Sequence, residues 1–132
     1  MFRYWSLIAG LLGAIGVAVA AWSSHGLPHF VPADQLAVAL ERARAATLHH
    51  MLHTLALLGV ALWARQGGNA LLHLAGALFV AGIAGFSGGI YLRLATGIDS
   101  GPLVSIVPIG GTCLILGWLA LGVAGWMQKR PG

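Results

Sequence analysis

Three closely spaced histidines, His49, His50 and His53, lie in the first half of an apolar run over residues 46–64. On a helix, at about 100° per residue, they fall within an arc of roughly 100° and so share one face. Ionisable groups at membrane depth are costly and usually face other helices or a water-filled cavity. We therefore expect this face to point into a protein interior. Because neutral imidazole is the commonest metal ligand, the face could bind a metal ion, a haem or another small ligand.

A metal site built on this face would need histidines from a second segment. His49 and His53 have the i, i+4 spacing of a zinc-binding helix, but the glutamate of the His-Glu-x-x-His motif is absent. His25 or His29, in the connection before this helix, could complete a three-histidine site suited to zinc or copper. The candidate metal ligands are therefore His25, His49 and His53.

A structural role for these histidines is the alternative. His53 could make an interhelical hydrogen bond to Tyr91 or Ser87, and such bonds contribute about 0.6 kcal/mol on average in membranes. His49 and His50 could instead lie among lipid headgroups at the interface. On either interpretation, we expect His25 and His53 close together near the periplasmic surface, with Tyr91 and Ser87 as their nearest hydroxyl neighbours. The candidate residues of this polar cluster are His25, His49, His50, His53, Ser87 and Tyr91.

The composition indicates an integral membrane protein. Of 132 residues, 58% are hydrophobic and 8% are charged, and the mean hydropathy is +0.87. Ordinary globular domains carry about 25% charged residues, so a soluble fold is excluded and the lipid bilayer is the expected surrounding. The formal charge of +4 comes from basic residues spread over separate places. They form no basic patch that could bind nucleic acid. They are better interpreted as residues that set the orientation of the chain in the membrane.

The elements that would position these residues are four membrane spans of roughly 20 residues or more. We predict an all-α, polytopic membrane protein, a four-transmembrane-helix bundle in a single domain over residues 1–132. An interfacial helical extension, about 35–45, would precede the second span and continue into it, since the helical pattern has no breaker from Gln35 to Ala64. The predicted spans are about 4–22, 46–64, 70–94 and 103–127.

The charged residues at the span ends predict the orientation. One side holds Arg3, Arg65, Lys129 and Arg130 with no acidic residue, whereas the other side holds both signs. The positive-inside rule then favours both termini in the cytoplasm. The small residues that end the first run, 18–21, resemble a signal-peptide cleavage site. The small residues on one face of that run favour a retained membrane span instead, because they would let the helix pack closely against another helix.

Small residues on one helix face let backbones approach closely in lipid. In the first span this predicted packing face comprises Ala9, Gly10, Gly13, Gly16, Val17 and Ala20. The glycines predicted to pack between helices are Gly13, Gly16, Gly85, Gly88, Gly110 and Gly117. Pro108, followed by Gly110 and Gly111, predicts a kink in the last span. Trp118 and Phe86 are interpreted as packing residues.

Six short motifs in order are similar to a known pattern. They are Gly13-Ala14-Ile15-Gly16, Ser24-His25-Gly26-Leu27, His53-Thr54-Leu55-Ala56-Leu57-Leu58, Phe86-Ser87-Gly88-Gly89-Ile90-Tyr91, Pro108-Ile109-Gly110-Gly111 and Gly117-Trp118. Together they resemble the bacterial family called domain of unknown function 423, relatives of eukaryotic transmembrane protein 256. The resemblance covers nearly the whole chain and implies a small four-helix protein of the bacterial inner membrane. The resemblance implies no activity for this chain, because the family has no established activity.

The chain departs from the family's usual pattern in its first connection. Ser24 stands where the family commonly has alanine, and His29 and the His49-His50 pair look like local features of this chain. The resemblance therefore points to His25 and His53 more than to the other histidines.

We expect a non-enzymatic protein without a cofactor, acting as an accessory or assembly subunit of a larger inner-membrane complex or associating with itself. Small size and abundant glycine faces favour this role. The alternatives are a histidine site for a metal ion, haem or small ligand, and a small oligomeric transporter. No predicted span has an acidic residue at its centre, which argues against a proton-coupled transporter.

Overall fold

Long apolar segments without breakers form long helices in this chain. The computed structural model describes residues 1–128, and within them all regular structure is helical. The elements in chain order are α1 (Phe2–His25), α2 (Leu27–Phe30), α3 (Ala33–Arg65), α4 (Ala70–Gly82), a π-helical turn (Ile83–Ser87), α5 (Gly88–Thr96) and α6 (Pro102–Trp126).

Four of these helical segments are long and apolar enough to cross a membrane. They are Arg3–His25, Ala33–Arg65, Ala70–Thr96 and Pro102–Trp126. The predicted all-α, four-span membrane architecture is therefore confirmed. The third segment combines α4, the π-helical turn and α5, so one span contains a change of helix type.

The second span continues from the predicted helical extension. The segment 35–45 and the run 46–64 belong to one uninterrupted helix of 33 residues. At 1.5 Å per residue that is about 50 Å, against about 30 Å for the hydrocarbon core. The predicted extension is thus the first part of α3 itself. Ala39 and Ala43 there are buried, so this part already packs against neighbouring elements.

Helix α3 is the element that most others contact. It packs against α1, α4, α5 and the π-helical turn, while α6 packs mainly against α4 and that turn. Helix α1 packs mainly against α3. The fully buried centre includes Leu57 and Val60 of α3 with Leu72 and Phe79 of α4.

One end of the bundle is closed by Asn69. Its side-chain oxygen accepts a hydrogen bond from the Leu72 backbone N–H at 3.0 Å and so caps α4. Its Nδ2 donates to the Ala124 carbonyl at 3.1 Å. The turn after α3 and the end of α6 therefore share one end of the bundle. Lys129 and Arg130, which were used to predict the orientation, lie outside the described residues.

The other end carries a charged cluster. Asp99 pairs with Arg93 of α5 and lies 3.8 Å from the Arg42 guanidinium of α3. Gly97 ends α5 with a φ of +68°, a left-handed conformation that favours glycine. This turn therefore brings Asp99 back towards both arginines.

The closest helix crossing joins the π-helical turn to α6. A Cβ added at Gly85 would lie 2.9 Å from the Gly110 Cα, and one at Gly110 would meet the backbone of Gly85 and Phe86. Helix α6 runs through Pro108 without ending. The Pro108 carbonyl accepts a hydrogen bond from the Thr112 hydroxyl at 2.9 Å.

The other predicted packing glycines differ in their surroundings. A Cβ at Gly117 would lie 2.8 Å from Phe79, one at Gly16 would meet Met51 and His50, and one at Gly13 would lie 3.8 Å from Thr54. Gly88 is different, because its nearest contact is the Ile83 carbonyl of its own span at 3.8 Å. Gly88 therefore does not lie at a helix crossing.

The predicted packing face of the first span is correct only in part. Gly10 and Val17 are exposed, whereas Ala9 and Gly16 are buried. Among residues 1–128, no atom lies within 4 Å of a Cβ added at Gly10. The physical reason is that α1 has essentially one partner helix, which covers only a narrow strip of its surface.

Candidate functional site

The histidine cluster, defined here as His49, His50 and His53, lies at the middle of the bundle. His50 contacts the carbonyl of Leu12, near the middle of α1, and His49 is itself the middle residue of α3. The sequence predicted a helix without a breaker from residue 35 to residue 64, and the cluster lies half-way along the observed helix, Ala33–Arg65. Its expected position near one membrane surface stays a prediction.

His50 links α3 to α1 and α5. Its Nε2 lies 2.8 Å from the Leu12 carbonyl oxygen, and its Nδ1 lies 3.3 Å from the Tyr91 hydroxyl. A carbonyl can only accept, so Nε2 carries the proton and Nδ1 accepts from Tyr91, an arrangement that a neutral imidazole satisfies. The residue is 2% exposed. Placement among lipid headgroups is therefore wrong for His50.

His53 links α3 to α6. The Trp118 indole Nε1 donates to His53 Nε2 at 3.0 Å, and His53 Nδ1 donates to the His49 carbonyl at 2.6 Å. Because an indole can only donate, the neutral ring with its proton on Nδ1 satisfies both contacts. Neither nitrogen of this ring has a lone pair left for a metal ion.

Ser87 and Tyr91 reach α3, but they do not reach His53. The Ser87 hydroxyl is fully buried and donates to the Ala46 carbonyl at 2.8 Å. The Tyr91 hydroxyl lies 3.4 Å from the Thr47 hydroxyl as well as near His50. The expected neighbours of His53 therefore contact α3 about one to two turns earlier.

His25 lies far from the histidine cluster. It is exposed at the end of α1, and the helix rises by roughly 14 Å between Gly16, which lies beside His50, and His25. His29, on α2, is also exposed. Within residues 1–128, no group of three or more His, Cys, Asp or Glu is placed to hold a metal ion. The predicted convergence of His25, His49 and His53 is therefore not found.

His49 is the member of the histidine cluster whose ring is left without a hydrogen bond. Its ring stacks against His53 with centroids 5.7 Å apart and meets Phe86 edge-on at 5.0 Å. It is exposed on the surface of the bundle. Among the described residues, neither ring nitrogen has a hydrogen-bond partner, so this imidazole is free to bind something else.

The exposed face of His49 opens into a cavity of about 650 Å³ between α3 and α6, here called the α3–α6 cleft. Its other lining residues are Leu52, His53, Phe86, Pro108, Gly111, Thr112, Leu114, Ile115 and Trp118. Leu52 and Trp118 are about half exposed, and Ile115 is 64% exposed. The cleft therefore opens sideways, towards the surrounding bilayer.

Two polar contacts were missed by sequence reasoning. Trp118 was interpreted as a packing residue, yet its N–H is bound to His53. His73 was not included in the site, and its Nδ1 accepts from the Trp5 indole N–H at 2.9 Å. The signal was available, because an indole N–H that is removed from water usually finds a hydrogen-bond partner.

These features define a polytopic α-helical membrane protein whose central polar groups join its helices. A family model described as "Protein of unknown function (DUF423)" matches residues 19–111. The chain belongs to this family, and the resemblance drawn from its motifs is confirmed.

Three relatives share the family across most of their length. The chain is 35% identical over 127 residues to a UPF0382 membrane protein of Haemophilus influenzae, covering 96% of each chain. It is 34% identical to UPF0382 membrane protein YwdK of Bacillus subtilis, covering 89% of this chain and 93% of the relative. It is 36% identical to UPF0382 membrane protein SAB0533 of Staphylococcus aureus, covering 89% and 92%. No solved structure matches.

Proposed function

We propose that this protein is a non-catalytic accessory or assembly subunit of a larger complex of the bacterial inner membrane, attached through the outer face of α1. The observation that carries the proposal is a row of small residues, Gly10, Ala14 and Ala18, at successive i, i+4 positions. All three are exposed while α1 packs mainly against α3. Rows of this spacing let two transmembrane helices approach closely.

The outer face of α6 provides the comparison. Its exposed residues include Ile115, Leu116, Leu119 and Val123, which are bulky and match acyl chains. Helix α1 also exposes the bulky Leu7, Leu11 and Ile15, so its small residues form a narrow strip beside them, and this strip is the part of its surface that suits a further helix. The second helix would come from another subunit or from a second copy of this chain.

A non-catalytic role is supported by the hydrogen bonds of the central polar groups. His50, His53 and Ser87 each contact a group on another element, and a neutral imidazole uses both nitrogens in these contacts. Groups held in this way stabilise helix positions. They are not poised to transfer protons or to attack a substrate.

Two glycines give a matched test. Gly10 on α1 and Gly122 on α6 are both exposed, and among the described residues an added Cβ would meet nothing within 4 Å at either position. Gly10→Leu should remove the associated subunits when native membranes are solubilised in mild detergent, and Gly122→Leu should retain them. Native mass spectrometry of tagged protein, with a second differently tagged copy, would separate a foreign subunit from self-association. Identical assemblies for both variants would reject docking through α1.

A second function, binding of a small ligand, is supported by the free imidazole of His49 in the α3–α6 cleft. It is compatible with the first, because the cleft involves α6 whereas the small-residue row lies on the outer face of α1. The two functions therefore need separate experiments.

A further inference from the structure

We propose that the α3–α6 cleft binds a neutral, membrane-soluble molecule with a flat ring that carries carbonyl or hydroxyl groups, the chemistry of isoprenoid quinones and quinols. This inference does not depend on docking through α1. It rests on the depth of the cleft, on the hydrogen-bonding state of His49 and on the shape of the cleft walls.

The depth of the cleft determines how a ligand enters it. The cleft is lined by residues 49–53 of α3 and 108–118 of α6, which lie within candidate membrane spans, and the exposed Leu52 and Ile115 place the opening on the side of the bundle. A molecule must therefore arrive through the hydrocarbon core. Charged and zwitterionic headgroups are excluded at this depth by the cost of removing them from water. The occupant must be neutral and soluble in hydrocarbon.

The free imidazole of His49 determines what the occupant must carry. Its neighbours His50 and His53 have partners for both nitrogens, whereas the His49 ring has only aromatic contacts. A neutral imidazole has one donor and one acceptor, and both are costly to leave unpaired in hydrocarbon. A carbonyl would accept from it and a hydroxyl would do either. The chain of a phospholipid tail would satisfy neither nitrogen.

The walls of the cleft favour a flat ring. His49, His53, Phe86 and Trp118 present aromatic faces and edges to the cavity, and aromatic rings pair well at offset and edge-on geometry. Gly111 contributes no side chain opposite Phe86. The volume of about 650 Å³ lies within the usual range of small-molecule sites, which is about 300–1,000 Å³.

Two probes with the same tail test the ring chemistry. Decylubiquinone carries the oxygenated ring, and decylbenzene carries a ring without oxygen. We expect detergent-purified protein to bind decylubiquinone about tenfold more tightly than decylbenzene, the effect of one or two hydrogen bonds. Equilibrium dialysis with protein-free micelles on the other side measures this ratio and corrects for partition into detergent. Equal affinity for the two probes would overturn the proposal.

Three variants locate the binding in the α3–α6 cleft. His49→Phe keeps a flat ring but removes both nitrogens, so the tenfold preference should disappear. Gly111→Leu places a side chain in the cleft, so both probes should be lost. Gly122→Leu adds the same side chain to the same helix one turn beyond Trp118, at a position that does not line the cleft and where an added Cβ would meet nothing within 4 Å among the described residues, and it should bind as the parent protein does.

Two outcomes with these variants would contradict the proposal. Persistence of the tenfold preference in His49→Phe would place the hydrogen bond elsewhere. Unchanged binding of decylubiquinone to Gly111→Leu would place the ligand outside the cleft, and this variant decides the matter if His49→Phe does not fold. Melting temperatures in detergent establish folding in each case. None of these outcomes depends on subunit association, so they are separate from the test at Gly10.

Discussion

At the scale of residues, the histidine cluster distributes its members among different neighbours. His50 binds α1 and α5, His53 binds α6, and His49 faces the α3–α6 cleft. One face of α3 is therefore joined to three other helices by specific polar contacts. Ionisable residues within membrane spans are expected to have partners or a function, and of these three histidines only His49 has no hydrogen-bond partner among the described residues.

His53 offers a direct test of this arrangement. His53→Leu leaves the Trp118 N–H without its acceptor and should lower the free energy of unfolding by about 1–3 kcal/mol. His53→Gln should cost less, since its amide oxygen can accept the same hydrogen bond. Thermal or denaturant unfolding in detergent would measure both. His49→Leu is the control, because it removes no hydrogen bond within residues 1–128. Equal free energies of unfolding for His53→Leu, His53→Gln and His49→Leu would contradict a structural role for the contact between His53 and Trp118.

At the scale of elements, the third span owes its shape to the crossing with α6. The π-helical turn Ile83–Ser87 lies where Gly85 and Gly110 bring two backbones together. Such turns insert one extra residue into a helix and often occur at functional sites. Here the turn contains Phe86, which lines the α3–α6 cleft, and Ser87, which binds Ala46. The irregular turn therefore sets both the crossing and one wall of the cleft.

Gly110 tests the crossing. Gly110→Ala would place a methyl group against the backbone of Gly85 and Phe86, and backbone cannot move aside as a flexible side chain can. We expect a loss of about 1–3 kcal/mol from overpacking. Gly122→Ala on the same helix should be neutral, since it is exposed and its added Cβ meets nothing within 4 Å among the described residues. Comparison of their melting temperatures in detergent is the measurement, and a neutral Gly110→Ala would reject the close crossing.

At the scale of the whole molecule, α3 is the axis around which the other spans are arranged, and four spans bring the start of α1 and the end of α6 to one side. Trp5 of α1, Asn69 before α4 and Ala124 of α6 mark that side through their hydrogen bonds. The proposed orientation has this side in the cytoplasm, since basic residues without acidic ones lie there in the sequence.

Cysteine labelling tests the orientation. His29 and Gln66 are exposed at opposite ends of the bundle, and Gln66 is preferable to its neighbour Gly67, whose φ of +96° suits glycine. In a background with Cys113 replaced by alanine, we expect an impermeant maleimide to label His29→Cys in intact cells. Gln66→Cys should react only after permeabilisation. The reverse pattern would place both termini outside.

Much of the architecture followed from periodicity and composition. Apolar runs of spanning length, breakers at Pro28, Pro32 and Gly67, and sparse charge predict four helices, because the bilayer admits no other common way to satisfy the backbone. The small residues at Gly85, Gly110 and Gly117 predicted close crossings, since only they permit backbone contact. The family was also recognisable from six motifs in order.

The tertiary structure alone decided which polar groups meet and at what depth. Helical spacing places His49, His50 and His53 on one face, but it does not say which neighbour lies opposite each ring, and Trp118 is distant in sequence from His53. It also does not reveal where α1 lies along α3, which places Gly16 beside His50 and separates the histidine cluster from His25. Periodicity reports the orientation of a side chain about its own helix axis. The translation of one helix along another is set by packing between residues far apart in the chain, and here that translation created the α3–α6 cleft.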